Sequence, residues 1–459
     1  MLPKNNKKAE HKGRNFIYPK KPSGRFYTYR KWVSYVLLLF LFSCPFIKLG
    51  GEQLVLLDFI HRKFVFFGLI FTPQDFYLFA LAMLIFIIFI VCFTVVLGRL
   101  WCGWACPQTI FMEMVFRRIE YWIEGDAAQQ RKLDEEPLTR EKILKKGSKH
   151  FIFLLLSFVI ANTFLAYMIG SDVLFKIITE PIVDHVSGFI SIWLFTFIFY
   201  AVFAYVREVV CTVICPYGRL QGVLLDNQSL VVAYDFTRGE PRGRLQRSVA
   251  DQKSGDCIDC SLCVQVCPTG IDIRKGTQLE CVNCTACIDS CNEVMLKIGR
   301  AKNLIGFFNQ DFIATRKPYK IGLKPYGYAA VLLTVLLVFS SLIYKRENIQ
   351  TTVLRASGTL YQSRGIDKTT NLYNAELVNK TNKAIKFTFR SQDGEDKIEF
   401  IQKADLLPKE STVQLTFFLV RKNSSIKKYK TDAVFEVVAN GQVVSTATTS
   451  FFAQPEGTE

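Results

Sequence analysis

Cys257-Ile-Asp-Cys260-Ser-Leu-Cys263-Val-Gln-Val-Cys267-Pro268 is followed closely by Cys281-Val-Asn-Cys284-Thr-Ala-Cys287-Ile-Asp-Ser-Cys291. In each run the cysteines are spaced by two, two and three intervening residues, the pattern of a bacterial ferredoxin that carries two clusters. Three close cysteines wrap three corners of an iron–sulfide cube, while the fourth reaches the neighbouring cube. By that crosswise rule Cys257, Cys260, Cys263 and Cys291 hold one [4Fe–4S] cluster, and Cys281, Cys284, Cys287 and Cys267 hold the other. Asn292 stands where the fuller pattern has a second proline, which is not a ligand. Paired zinc sites or disulfides are the competing readings. Zinc ribbons use two Cys-x-x-Cys pairs further apart and need no third cysteine three residues on. The spacing therefore predicts a protein that moves single electrons.

The remainder of the chain places that chemistry at a membrane. Half of the 459 residues are hydrophobic, 40 of them are phenylalanine, and the mean hydropathy is +0.20. This is too apolar for an ordinary soluble chain of this size. Long apolar runs occupy Val33–Ile47, Phe76–Leu97, Phe151–Gly170, Phe189–Val206 and Tyr326–Tyr344. A span needs about 20 apolar residues, so the last four qualify as they stand. The first is short, but Trp32 and its basic flank extend it, giving five expected transmembrane helices. Leu54–Thr72 is also apolar but is interrupted by Asp58, His61, Arg62 and Lys63, which predicts an interfacial or re-entrant segment.

Charge predicts the orientation. Residues 1–31 carry ten Lys or Arg and one acid, Glu10, and the 98–150 loop carries ten more basic residues. The 207–324 region is also basic, whereas 48–75 and 171–188 carry few such residues. Cytoplasmic loops keep the excess of Lys and Arg, so the basic segments are expected inside and the chain leaves the cytoplasm after Tyr344. The net charge of +17 follows the membrane edges and calls for no nucleic acid. No cleavable signal peptide is expected, since the charged leader is long and no small-residue cleavage site follows the first apolar run. All eight clustered cysteines then fall on the reducing side, and residues 345–459 contain none, so charge and redox compartment agree.

A second cysteine motif lies at the membrane edge. Arg99-Leu-Trp-Cys102-Gly-Trp-Ala-Cys106-Pro107 follows the second apolar run, and Arg207-Glu-Val-Val-Cys211-Thr-Val-Ile-Cys215-Pro216-Tyr-Gly-Arg219 follows the fourth. The two Cys-x-x-x-Cys-Pro motifs form an internal repeat of two hairpins. Cysteines four apart share one helix face, and the proline is expected to end or kink the helix. Four such thiols suit Cu(I), zinc or another iron–sulfur cluster, although buried cysteine can serve simply as a small hydrophobe. That simpler role is the expectation for Cys44 and Cys92, which lie singly in apolar runs.

Other candidates are weaker. The four histidines, His11, His61, His150 and His185, lie outside the confident spans, so a membrane haem is not expected. His61 and His185 fall on the outer side and read as solvated polar residues before copper ligands. Met112 and Met114 belong to an apolar stripe over Gln108–Gly125, read here as an interfacial amphipathic helix. No glycine-rich dinucleotide fingerprint, phosphate loop or hydrolytic triad is visible. In the tail, Ala384–Arg390, Thr412–Val420, Ala433–Val438 and Val443–Phe452 read as strands, with turns at Asp393-Gly394 and Asn440-Gly441. About 110 residues of short strands predict an immunoglobulin-like β-sandwich.

The expected architecture is thus a basic leader over 1–31, a four-helix membrane region over 32–207, and a two-[4Fe–4S] ferredoxin-like domain over 208–324. A fifth span over 325–344 and a β-sandwich over 345–459 complete it. In this combination the chain resembles the FixG/RdxA/CcoG family of membrane ferredoxins. The resemblance rests on the basic leader, Trp-Cys-Gly-Trp-Ala-Cys-Pro at 101–107, Val-Cys-Thr-Val-Ile-Cys-Pro-Tyr-Gly-Arg at 210–219, both cluster motifs, the fifth span and the β-rich tail. Other membrane ferredoxins share the doubled Cys-x-x-x-Cys-Pro motif, and the single exported β-domain sets this family apart. The resemblance implies an accessory protein for cbb3-type haem–copper oxidases in the bacterial inner membrane. Its implied activity is cupric reduction, with copper as substrate or transient ligand at Cys102, Cys106, Cys211 and Cys215. The implied partners are the oxidase assembly machinery, copper chaperones and a cytoplasmic electron donor. Two other roles fit the residues: a quinol-linked electron carrier to a different reductase, and a non-enzymatic assembly scaffold or redox sensor.

Overall fold

The computed structural model describes residues 16–454, apart from 61–62, 72–74, 244–254, 317–321, 357, 359, 366 and 427. His11, His61 and the first half of the basic leader lie outside the described residues. Among the described residues four helices are long and apolar enough to cross a membrane: Phe76–Leu97, Arg140–Ile169, Val186–Val206 and Leu323–Tyr344. The chain divides into two compact units, one formed by 1–45 and 82–336, the other by 46–81 and 337–459.

In the first unit the helix Arg25–Ser43 starts earlier than its apolar run suggests and ends four residues sooner, at a short 3-10 turn. Its early start has a cause. The backbone N–H groups of Phe26 and Tyr27, unpaired within the helix's first turn, donate to the Asp289 carboxylate at 3.1 and 2.8 Å. The stretch after the first Cys-x-x-x-Cys-Pro motif corrects the interfacial reading. Phe111, Met112, Met114 and Phe116 are buried, and the first two and last of these pack against Phe153, Ile160 and Phe203 of the Arg140–Ile169 and Val186–Val206 helices. The stripe faces protein because the neighbouring helices offer a complementary apolar surface. Met112 and Met114 are core residues. Beneath them runs a buried chain of charges in which Arg207 pairs with Glu120, and Lys149 joins Glu120 and Glu124 at 3.8 and 2.9 Å.

The ferredoxin-like part of this unit is built on a two-stranded antiparallel ladder, Val231–Tyr234 against Ile305–Phe308. Between these strands the chain carries both cysteine runs and the helix Ala286–Lys297. Val232, Ile273, Ile288, Met295, Leu304 and Ile305 form its apolar core.

The second unit is a β-sandwich with an addition. One sheet orders the strands Lys397–Gln402, Thr412–Lys422, Lys368–Asn379 and Ile349–Arg355; the other orders Thr388–Ser391, Lys430–Ala439 and Gln442–Phe452. The Asn440-Gly441 turn has both φ angles positive, +52° and +79°, as a tight hairpin requires. Between the sheets lie Tyr373, Phe389, Leu415, Phe417, Phe435 and Phe451. The stretch expected to be interfacial is instead a three-stranded antiparallel sheet, Val55–Asp58, Lys63–Phe66 and Leu69–Phe71. Its period-two burial was obscured by the charges at its turn. Lys63 pairs with Glu52 at 2.7 Å and with Glu410 of the sandwich.

Asp75 ties this addition to the sandwich, accepting from Lys380 at 2.6 Å and Arg346 at 2.7 Å. Burial pushes its carboxyl up, but these two cations outweigh burial and hold it below the ordinary carboxylate range. A depressed folded value means stability that is present above about pH 4 and is lost as pH falls through the folded value. Asp75→Asn should therefore flatten the acid limb of thermal stability below about pH 4. At neutral pH it should cost about 3–5 kcal/mol, because Lys380 and Arg346 keep their buried charges without a counterion. Melting temperatures of both proteins from pH 3 to 7 test this, and parallel acid limbs would contradict it.

Candidate iron–sulfur and membrane-cysteine site

The two cysteine runs fold alike. Asp259 and Ser261 in the first loop, and Asn283 and Thr285 in the second, all take left-handed backbone conformations at φ between +52° and +66°. Such residues cost conformational energy, and their recurrence at matching positions gives the two loops the same bend. Each loop bounds a cavity. One is walled by Cys257, Cys260, Cys263 and Cys291. The other is walled by Cys267, Cys281, Cys284 and Cys287, and Cys263 touches it as well. The structure thus brings together the two predicted sets of four, crossed between runs. Among the described residues no three His, Cys, Asp or Glu side chains converge as they would on a single ion. Thiols spread around a cavity suit a multi-atom cluster better than one metal ion. Burial pushes the Cys263, Cys281 and Cys291 thiols up to about 12, so ligation at these positions must displace protons. Cys260 is the exposed member of the first set.

The membrane motifs differ from expectation in local geometry. Neither cysteine pair lies on one continuous α-helix. The Phe76–Leu97 helix stops at Gly98, with φ +57°, and Val186–Val206 stops at Arg207, with φ +55°. These breaks occupy equivalent places four residues before Cys102 and Cys211. Cys102 then sits in a single turn, Leu100–Trp104, and Cys211 in a π-helical turn, Val210–Ile214. Cys106 and Cys215 are both extended N-caps, each followed by proline at the first position of a new helix. Proline there opens a helix, since its missing N–H is one the first turn leaves unpaired in any case. The internal repeat holds, and its prolines start helices where the sequence suggested that they end them.

The four membrane cysteines are neighbours. Cys106, Cys211 and Cys215 all act electrostatically on Cys102, which burial pushes up to about 12, and burial carries Cys211 to about 11. The Cys102 thiol donates to Gln221 Oε1 at 3.0 Å, the same oxygen that accepts from Arg99 Nε at 3.1 Å. Gln221 is fully buried and bears no sequence mark that distinguishes it from a helical surface residue. It was missed for that reason.

A close backbone approach joins this region to the second cysteine run. A Cβ at Gly103 would lie 2.4 Å from the Val282 carbonyl oxygen, so only glycine fits between Cys102 and the Cys281–Cys284 loop. Arg30 reaches the same place, donating from Nε to the Gly103 carbonyl at 2.7 Å. A third cavity is lined by Cys211, Met112, Glu113 and Glu208 on one side and by Pro268 and Thr269 on the other. His185 lies beside Glu180, and His150 bonds Tyr200 at 3.0 Å; neither joins the cysteines.

Comparison with known proteins bears on the same regions. Residues 206–310 match a family model described as a 4Fe-4S dicluster domain, 79–125 match a 4Fe-4S binding domain, and 339–454 match the IG-like fold at the C-terminal of FixG. The chain is 38% identical over 303 residues to nitrogen fixation protein FixG of Rhizobium meliloti, covering 64% of this chain and 57% of that protein. It is 35% identical over 296 residues to protein RdxA of Cereibacter sphaeroides, covering 63% and 62%. Against protein RdxB of the same organism the identity is 32% over 384 residues, covering 80% of each. The match thus spans less than two thirds of the length of FixG and RdxA.

Proposed function

Because this chain belongs to the FixG/RdxA/CcoG family and is an iron–sulfur electron-transfer protein, we propose that it reduces Cu(II) to Cu(I) for assembly of a cbb3-type cytochrome c oxidase. One observation carries the reading: four soft thiols, Cys102, Cys106, Cys211 and Cys215, gather where the Gly103 backbone abuts the Cys281–Cys284 loop. In this reading Cys257, Cys260, Cys263 and Cys291 hold one [4Fe–4S] cluster, and Cys267, Cys281, Cys284 and Cys287 the other; such clusters supply electrons singly. Cu(II) takes one electron to become Cu(I), and thiolates favour the softer product.

The proposal includes the membrane arrangement. Arg25–Ser43 acts as a fifth crossing, supported by its large exposed apolar side chains, Trp32, Val36, Leu39 and Phe40. It is supported also by the passage of the chain from the first unit to the second directly after this helix. The leader and the ferredoxin-like domain, 208–324, then lie in the cytoplasm of a bacterium and the 345–459 domain in the periplasm. A cytoplasmic donor reduces the protein, copper chaperones carry Cu(I) away, and the β-domain meets the oxidase assembly machinery.

A second reading has its own support. Residues 79–125 match a 4Fe-4S binding model, so the four membrane cysteines would instead hold a third cluster. Iron content separates the two, at roughly twelve irons per chain against eight.

The test of the cupric reductase is an anaerobic stopped-flow reaction of chemically reduced protein with Cu(II), following cluster absorbance and chelator-trapped Cu(I) together. Matching cluster oxidation and Cu(I) formation, slowed by about 10–100-fold in a Cys102→Ala/Cys106→Ala variant, is the expected result. Clusters that stay reduced would exclude copper as their acceptor.

A further inference from the structure

The two cluster sites differ in electrostatics. At the first site, Arg274 lines the cavity, but its guanidinium is neutralised by Asp272, at 2.8 and 2.9 Å, and by Asp259. At the second site stand Arg30 and Arg99, each only 3% exposed. Arg30 Nε donates to the carbonyl of Gly103, which abuts Val282 in the Cys281–Cys284 loop, and Gly98, the residue before Arg99, packs against Asn283 of the same loop. Neither guanidinium has a carboxylate partner among the described residues. Glu113, the acid that reaches Cys284, is itself paired with Arg117. The donors are also incomplete: Arg30 Nη2, Arg99 Nη1, Trp104 Nε1 and Asn283 Nδ2 are buried without an acceptor. Four orphan donors around the Gly103 contact are costly unless something anionic accepts from them. These donors lie behind the Cys281–Cys284 loop, and no residue on the wall of either cavity has such an orphan.

We infer that Arg30 and Arg99 raise the reduction potential of the Cys267/Cys281/Cys284/Cys287 site above that of the Cys257/Cys260/Cys263/Cys291 site, and so direct electrons toward the membrane cysteines. Net charge and hydrogen bonds to sulfur are two of the levers that set a cluster's potential. Burial alone would make the second site the harder to reduce, since water cannot solvate the added negative charge. Two unneutralised cations in the same low-dielectric surroundings reverse that order. One electron leaves the first site, oxidising it by one unit, and reduces the second by one. No proton or further reactant enters the balance.

The inference rests on the two-cluster reading, and iron and sulfide content measured on every sample shows separately whether that reading fails. The experiment is an anaerobic redox titration of the full-length protein followed by electron paramagnetic resonance. The proteins compared are wild type, Arg30→Gln, Arg30→Lys and Arg99→Gln, with Arg274→Gln to identify the first site. Wild type should show two one-electron transitions at least tenfold apart in reduction equilibrium, about 59 mV. Each Gln variant at Arg30 or Arg99 should lower the upper transition and leave the lower one in place, while Arg30→Lys should keep the upper one near its wild-type value. Arg274→Gln should move only the lower transition. Coincident wild-type transitions would overturn the inference, even if no glutamine variant assembled its clusters. So would an upper transition that ignores Arg30 and Arg99, or one that Arg30→Lys lowers as far as Arg30→Gln, which would mark a purely structural role.

Discussion

Cys281→Ala/Cys284→Ala is expected to remove about half of the bound iron and to bring Cu(II) reduction down to the uncatalysed background. The two thiols are half of the four predicted ligands on the wall of the second cavity, and they lie in the loop that Gly103 contacts. The first cavity keeps its own four cysteines, so its cluster should still assemble and still accept an electron from dithionite. The variant would then hold a reducible cluster with no path to the membrane cysteines. Iron analysis, low-temperature spectroscopy and trapped Cu(I) on one preparation decide the matter. Undiminished copper reduction with half the iron gone would place the reaction away from the second site. A scaffold role predicts something different: oxidase assembly in cells would survive the substitution although electron flow had stopped.

The second large effect concerns folding. Phe417 is fully buried at the centre of the sandwich, its ring 5.8 Å from Tyr373, 5.1 Å from Phe389, 5.9 Å from Phe400 and 5.2 Å from Phe435. Phe417→Ala removes a side chain that touches both sheets and leaves a cavity that rigid strands close poorly. The cost should be about 3–5 kcal/mol. For a domain of about 110 residues that lowers the melting temperature by more than about 10 °C. Calorimetry of the full-length protein should show the β-domain transition moved down while cluster absorbance at room temperature stays unchanged. A shift of less than about 3 °C would mean that the site collapses around the smaller side chain.

Several features were legible from short stretches of sequence. Four of the five expected spans are helices long and apolar enough to cross a membrane, because an apolar run of span length admits few other structures. Three keep their predicted ends to within three residues, while Arg140–Ile169 begins eleven residues before the expected Phe151, since the apolar run does not mark where a polar first turn begins. The Asn440-Gly441 hairpin follows from two adjacent residues that accept positive φ. Other features were hidden. The strand Lys368–Asn379 lies at the heart of its sheet, yet Thr369, Thr370 and Asn371 are buried in it, and polar residues pointing inward break the alternation a strand normally displays. The sheet within 55–71 was obscured in the same way by the charges at its turn. Gln221 and Arg30 look like ordinary helical residues until their partners are seen.

The sequence by itself determined the cysteine spacing, the apolar runs, the repeated Cys-x-x-x-Cys-Pro motif and the β-rich tail. All of these are written in neighbouring residues, where covalent geometry and periodicity act directly. The spacing rule also paired Cys267 with Cys281, Cys284 and Cys287, but only the tertiary structure decided that Gly103 presses on Val282. It alone placed Arg30 from the first helix against that contact. These relations join segments far apart in the chain, and the charge that one segment brings to another depends on where burial removes water between them.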